Sequence, residues 1–364
     1  MPSLLDTLPA LYARLLPPFF AQEFPSETKA TCSSCAMAEG ACHSAAESID
    51  GASRLYRPDT KCCTFHPRLP NYLIGAILSD DSPDMAEGKR RVTERIESRI
   101  GTTPLWLRAP AKYDLLYSSA RRAFGRAESL LCPYYERSAG NCTVWRYREA
   151  VCSTFYCKFV AGADGRAFWV SLKHYLSLAE IQLARHAVFE LHPDHIFSGR
   201  YRDEASSSPL TPQDLDDLPP PAEEHARIWG KWAGREIELY RECYEIVRSL
   251  DAAELQRMMG LDGELDLAVL ERRRDAVVEP ALPKKLRFNP EATVKWLQDG
   301  SVALGAFSEN DALALPGEAY ALLVMFTGEE TVDAVRQRMR MVKRADLDEE
   351  VLLALYRHRI LTEA

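Results

Sequence analysis

Nine of the ten cysteines lie between Cys32 and Cys157, and this crowding is the strongest chemical signal in the chain. They run Cys32-x2-Cys35-x6-Cys42, then the adjacent pair Cys62-Cys63, then Cys132-x9-Cys142-x9-Cys152-x4-Cys157. A Cys-x2-Cys turn points two sulfurs the same way, and four thiolates satisfy a tetrahedral zinc or a cubane iron-sulfur cluster. Pro133, Gly140 and Asn141 supply turns beside the thiols, so the set can serve two such sites with one cysteine to spare. Spacing does not choose zinc over iron, nor a structural metal over one that takes part in chemistry. Unligated buried cysteines account for two or three of the nine at most, because free cytosolic thiols carry an oxidation liability. His43, next to Cys42, and His66 can add imidazole ligands, although a histidine beside a loop is more often solvated.

Other reactive residue types are sparser. At 100° per residue, Glu180 falls about 20° from Trp169 on an apolar helical face, with Lys173 two turns earlier on the same side. A buried carboxylate there is either a proton-transfer group with a shifted pKa or half of an ion pair. His192 and His195 are three apart, but the intervening Pro193 argues against a helical metal pair. Trp229 and Trp232 suit a packing seam, and Cys243, inside a helical pattern, suits a small buried hydrophobe.

These side chains must be positioned by a chain of 364 residues, long enough for two or three domains. Its 46% hydrophobic and 27% charged residues are ordinary globular usage, which excludes global disorder and fibrous structure. A net charge of -8 gives no overall positive field for nucleic acid or anionic lipid. The N-terminus lacks a basic start and is interrupted by Pro2, Pro9, Pro17 and Pro18, so it fails as a signal peptide, and Leu4, Leu8, Leu11 and Leu15 predict a docking helix instead. With no apolar run of membrane-spanning length, the chain is expected in the cytoplasm, where clustered thiols favour metal or redox chemistry over disulfides.

The expected fold is α+β and predominantly α. Residues 1–160 form the N-terminal helix and the cysteine-cluster metal domain. Residues 161–280 form a helical region interrupted by a Pro/Ser-rich loop at 206–221. Leu172, Leu176, Leu183 and Ala187 share one helical face with Trp169, and Ile237, Tyr240, Tyr244 and Val247 share another. Residues 281–364 change period: TVKWL and SVALGAF flank an Asp-Gly turn, DALALPG supplies a short third strand, and helices follow at 318–326, 331–341 and 347–361. In the second of these, Val332, Val335, Met339 and Val342 predict a buried stripe. That order describes a small winged-helix-like domain.

Cys32-x2-Cys35, Cys62-Cys63 and the run CPYYERSAGNCTVWRYREAVCSTFYC resemble the YkgJ-like cysteine-cluster family of zinc- or iron-chelating proteins. The resemblance implies Cys32, Cys35, Cys62, Cys63, Cys132, Cys142, Cys152 and Cys157 as ligands, with Cys42 as the spare or alternative. This chain departs from the family in the long separation of Cys35 from Cys62 and in Arg148-Glu149-Ala150-Val151, where the family tends to have Arg-Pro before its penultimate cysteine. Flagellin lysine N-methylases share a similar pattern, but no glycine-rich strand-to-helix turn that would cradle a nucleotide cofactor is present.

The tail's ALALPGEAYALLVMFTGEETVDAVRQRMR and LDEEVLLALYRHRIL resemble the PqqD-like domain, with Gly328 and Thr331 at the Gly-x-x-Thr helix start and Arg359 where that family often has glycine. The resemblance implies binding of a precursor peptide's leader as an added strand at the sheet edge, expected around residues 312–315. The competing use of the tail is DNA binding through Arg336, Arg338, Arg340, Lys343 and Arg344. From residue 281 onward, however, 11 Lys and Arg face 13 Asp and Glu, and nucleic-acid domains are usually basic. The combined expectation is a zinc- or iron-sulfur-binding protein that modifies a ribosomally made peptide, with Glu180 as its candidate catalytic residue. A metal-responsive winged-helix transcription regulator and a non-catalytic metal chelator or assembly protein are the alternatives. Catalysis itself is left open by the residues.

Overall fold

The structure, a computed structural model, describes residues 2–29, 35–38, 55–194, 210–308 and 310–364. It is α+β and predominantly helical. The longest uninterrupted element is the helix Gly162–Leu191, about 45 Å long at 1.5 Å per residue. Its face of Trp169, Leu172, Leu176, Leu183 and Ala187 is fully buried, as the 3.6-residue period predicts. Against it pack Ala252–Val278, interrupted by the non-helical Gly260, and Glu236–Ser249, which also lies along Asn71–Ser79. The last two helices approach so closely at Gly75 that a Cβ there would sit 1.9 Å from the Tyr240 carbonyl oxygen. No helix among the described residues is long and apolar enough to cross a membrane.

One apolar core runs from Leu4 to Val277, so the thiol region and the long helices share a single interior. The N-terminal leucines enter it differently from expectation. Leu4, Leu8 and Leu15 are buried, but Leu4 sits on a 3-10 turn, Leu4–Thr7, Leu8 on the extended residue that caps it, and Leu15 on a separate short helix, Tyr12–Leu15. Pro9, between the two, lacks the N–H that a continuous helix needs.

The tail has its own core, built from Leu286, Val302, Leu304, Leu323, Phe326, Val335, Met339, Leu352, Leu355 and Leu361 among others. Three antiparallel strands, Thr293–Trp296, Ser301–Gly305 and Leu313–Pro316, pair in chain order, and Asp299-Gly300 turns the first hairpin with Gly300 at φ +79°. Helices Gly317–Leu323, Val332–Lys343 and Glu349–Arg357 follow. Two expectations fail here. Val342 is 67% exposed, because it lies in the last turn before Arg344 takes a left-handed cap. The final helix stops at Arg357, and Leu361–Glu363 is instead a strand antiparallel to Leu286–Phe288. Arg359, at φ +59°, makes the intervening reversal in a conformation that glycine adopts more easily.

Candidate functional site

Cys35, Cys62, Cys63, Cys132, Cys142, Cys152, Cys157 and Cys243 are free thiols. Cys32, Cys42, His43 and His195 lie outside the described residues. Short backbone hydrogen bonds, rather than long strands, gather the thiol segments. The Ala38 N–H closes a turn onto the Cys35 carbonyl (3.1 Å), and the Tyr56 N–H donates to the Met37 carbonyl (2.6 Å). Cys62 and Cys63 follow a tight turn through Lys61 at φ +49°, held by Lys61 Nζ donating to the Gly140 carbonyl (2.8 Å). The Cys132 N–H donates to the Cys63 carbonyl at 2.8 Å, joining the two halves of the pattern. Cys142 faces Tyr135 across the hairpin Tyr135–Glu136/Asn141–Cys142. Cys152 lies in the middle of the short helix Ala150–Thr154 and Cys157 follows it.

Electrostatic neighbours sort these thiols into two groups. Burial pushes the Cys157 thiol up to about 12, and Cys62 and Cys35 raise it further. The Cys62 thiol is raised first by its hydrogen bond to the Cys63 side chain and then by burial, and Cys35 by burial and by Cys62. Separately, burial raises Cys132, with Cys142 adding to it, and Cys152 is raised by burial, Glu149, Cys132 and Cys142 in turn. One group is thus Cys35, Cys62 and Cys157, the other Cys132, Cys142 and Cys152. Cys63 stands between them, its side chain on Cys62 and its carbonyl on Cys132.

The donor set fits a thiophilic cation in kind, since thiols that stay protonated when buried alone become good ligands once a cation supplies the missing charge. Two further observations bear on that fit. The hydroxyls of Tyr56 and Tyr135 are buried without a hydrogen-bond partner, and burial raises both, with Cys157 the foremost thiol adding to it for Tyr56 and Cys63 for Tyr135. Among the described residues, however, no three His, Cys, Asp or Glu side chains are arranged to hold a metal ion. Cys32, two residues from Cys35 in the spacing of a ligand turn, is outside that description.

Glu180 is buried on the apolar face, as its helical phase predicts. Its carboxylate does not pair with Lys173. Oε1 accepts from the Ala150 N–H (2.7 Å) and from the Tyr12 hydroxyl (3.2 Å), which is in turn 2.7 Å from the Tyr72 hydroxyl. Glu149, also buried, caps the Ala150–Thr154 helix by accepting from Val151 N (2.6 Å) and Cys152 N (2.9 Å). Two carboxylates therefore meet the first turn of the helix that carries Cys152. Burial first, and then the Glu149 charge, raise Glu180 well above the ordinary carboxylate range. Glu149 is raised by burial but opposed by its two amide donors, so Glu149 is the better carrier of charge and Glu180 the better carrier of a proton. A continuous hydrogen-bonded path thus runs from the buried Glu180 carboxyl through the Tyr12 hydroxyl to the Tyr72 hydroxyl.

The remaining candidates fall outside both groups. His66 is neutral, lowered to about 4 by burial and by Arg95; its Nδ1–H donates to the Pro67 carbonyl (3.1 Å), and its buried Nε2 has no partner. Its ring neighbours are Tyr113 and Tyr134 rather than thiols. His192 is buried, 3.3 Å from the Ile228 carbonyl. Trp229 and Trp232 are buried in the core, the former edge-on to Tyr240, and Cys243 is a buried thiol raised by its burial.

The segment after Cys157 is where the tail joins the body. The Phe159 N–H donates to Asp311 Oδ2 (2.9 Å), and the Val160 N–H donates to Glu27 Oε2 (2.6 Å). Arg359 reaches Asp164 (2.7 Å) and Arg166 the Phe307 carbonyl (2.9 Å). Asp311 lies two residues before the edge strand Leu313–Pro316. Sequence reading missed Glu149, Tyr12, Tyr72, Glu27 and Asp311. A glutamate is not among the favoured N-cap types, and none of the five sits in a spacing that signals its partner. Compared with family models, with curated proteins and with solved structures, the chain matches none.

Proposed function

We propose that this chain is a cytoplasmic cysteine-cluster metalloprotein that holds zinc or an iron-sulfur cluster and modifies a ribosomally made peptide recognised by its tail. The observation that supports the reading is that short backbone hydrogen bonds bring together thiol segments far apart in the chain, above all the Cys132 N–H on the Cys63 carbonyl at 2.8 Å. Cys32 would complete the first group, and Cys63 adjoins both, through Cys62 and through the Cys132 amide. A bound metal would supply positive charge to otherwise protonated sulfurs. Around it, this chain's own groups have definite tasks: Glu149 fixes the Cys152 amide, and Glu180 holds a proton that Tyr12 and Tyr72 can relay.

The tail, read as a PqqD-like winged-helix module, would take the peptide as a strand along Leu313–Pro316, which pairs with Ser301–Gly305 at the edge of its sheet. Asp311 then connects that edge to the backbone just after Cys157, so a held leader raises the concentration of the rest of the peptide near the thiols. DNA recognition is disfavoured by ion pairing within the tail: Arg336 and Arg340 share Asp346 (3.0 and 2.9 Å), and Arg338 pairs with Glu330 (2.7 Å).

Two measurements on the full chain test this. Purified without oxygen, it should carry zinc or iron, with an absorption band near roughly 400 nm if the metal is an iron-sulfur cluster. Fluorescence anisotropy should show binding of peptides encoded beside its gene that survives moderate salt. Salt-sensitive binding of random duplex DNA, with no peptide binding, would favour the regulator instead.

A further inference from the structure

The loop between the strands Ser301–Gly305 and Leu313–Pro316 fastens the tail to the body. Phe307 packs against the large core, and its carbonyl accepts from Arg166 (2.9 Å). Asp311, 4% exposed, accepts the Phe159 N–H through Oδ2 (2.9 Å). The same loop meets His358, 2% exposed at the end of the helix Glu349–Arg357, whose ring lies edge-on to Phe307 at 5.5 Å. The backbone there rests on the body as well. A Cβ on Gly162, the first residue of the long helix, would come within 2.5 Å of the Arg357 carbonyl oxygen. His358 is thus held between its own helix, the loop and the body.

One ring nitrogen of His358 is satisfied and the other is not. Nδ1 is 2.8 Å from the Ala354 carbonyl, so it carries the proton and donates. Nε2 is then a bare acceptor, buried without a hydrogen-bond partner and 3.9 Å from Asp311 Oδ2, another acceptor. The two lack only the proton that would join them. Burial holds the imidazole below its ordinary range; the Ala354 carbonyl and Asp311 favour the charged ring, whereas Lys29 and Arg357 oppose it. Acid has two effects of the same sign here. An imidazolium kept at this junction carries a desolvation cost that leaving the body relieves. It also offers Asp311 a charge-assisted bond in competition with the Phe159 amide.

We propose that His358 is the proton-sensitive part of a latch between tail and body: protonated at Nε2, it draws Asp311 off the Phe159 N–H and frees the turn that follows Cys157. The latch needs neither a metal nor a bound peptide. Its release reaches both functional regions, because Phe159 is two residues after Cys157 and Asp311 two before the edge strand. Docking is full above the ordinary histidine pKa of about 6.5 and weakens as pH falls from there toward the lower folded value.

The test is amide hydrogen exchange of the full chain, corrected for intrinsic rates, over residues 158–163 at about pH 7.5 and about pH 5.5, on either side of the histidine range. The expected result is protection up to about tenfold lower at the acid pH, the most that one histidine gives one unit below its ordinary pKa. His358→Leu, which takes no proton, should remove the response, and His358→Gln serves if that variant fails to fold. Amides at Met339 in the tail and Leu176 in the long helix should keep their protection. Equal loss at these reference amides would overturn the proposal, by making the acid effect general unfolding. So would a response that persists without His358, or one abolished instead by Glu27→Gln, whose carboxylate holds the neighbouring Val160 N–H. Unchanged protection in the parent would overturn the latch while leaving the metal and peptide readings intact.

Discussion

The tail closes around leucines, valines and a methionine supplied by both of its sheets and all three of its helices, while the thiol region sets groups that can gain or lose protons among the apolar side chains of the larger core. Its strands are two residues long, and its turns are pinned by single hydrogen bonds such as Cys132 to Cys63. Buried Glu149, Glu180, His66 and Cys132 stand among the apolar side chains there, whereas the buried polar groups of the tail, Asp311 and His358, lie where it meets the body. The contrast teaches that the tail is stabilised chiefly by apolar burial, which needs no ligand. The thiol region carries desolvation costs that a bound cation would offset.

The largest expected effect breaks the comparison most plainly. Chelation, or Cys157→Ser, should selectively loosen the thiol region, because structural thiolate sites contribute on the order of 10 kcal/mol to folding. Hydrogen exchange should then rise around residues 55–66 and 130–160 while the tail's core amides stay protected. Next, Leu352→Ala should cost about 2–5 kcal/mol by leaving a cavity in the tail, with metal content unchanged. If metal is lost as well, the two regions are not separately stabilised.

A smaller effect sharpens the comparison at the junction. Asp311→Ala leaves the Phe159 N–H without its acceptor and should cost about 1–3 kcal/mol, read as a lower melting temperature with peptide affinity retained. The smallest concerns pH. Glu180 is raised in the folded state, so folding retains a proton that the unfolded chain releases; stability is full below the unfolded carboxylate pKa and falls as pH rises toward the raised folded one. The slope for one proton is about 1.4 kcal/mol per pH unit. Denaturant titrations across this window should show Glu180→Gln flattening the slope. An unchanged slope would place the proton elsewhere, and any catalytic activity should be lost in this variant although its metal content is retained.

Local features were legible in the sequence because neighbouring residues encode them. The face of Trp169, Leu172, Leu176 and Leu183, with Glu180 on it, follows from a 3.6-residue period, and Asp299-Gly300 announces its hairpin. Pairings between distant segments were not legible. Leu361–Glu363 becomes a strand because Leu286–Phe288 is available to it, and Arg359 carries no mark of the turn between helix and strand. Likewise the spacing of the cysteines gives their number and turn types, whereas their grouping depends on where the Cys63 carbonyl meets the Cys132 amide. Glu180 was visible as a buried carboxylate, but its partners on Tyr12 and Ala150 come from other parts of the chain.

The most direct measurement is the metal-to-protein ratio of the anaerobically purified full chain, beside Cys157→Ser and Cys152→Ser, one from each thiol group. The account predicts a loaded parent, with each substitution removing one group's share and leaving the other's. A metal-free parent whose thiols all titrate freely, and which melts at the same temperature with or without chelator, would contradict it.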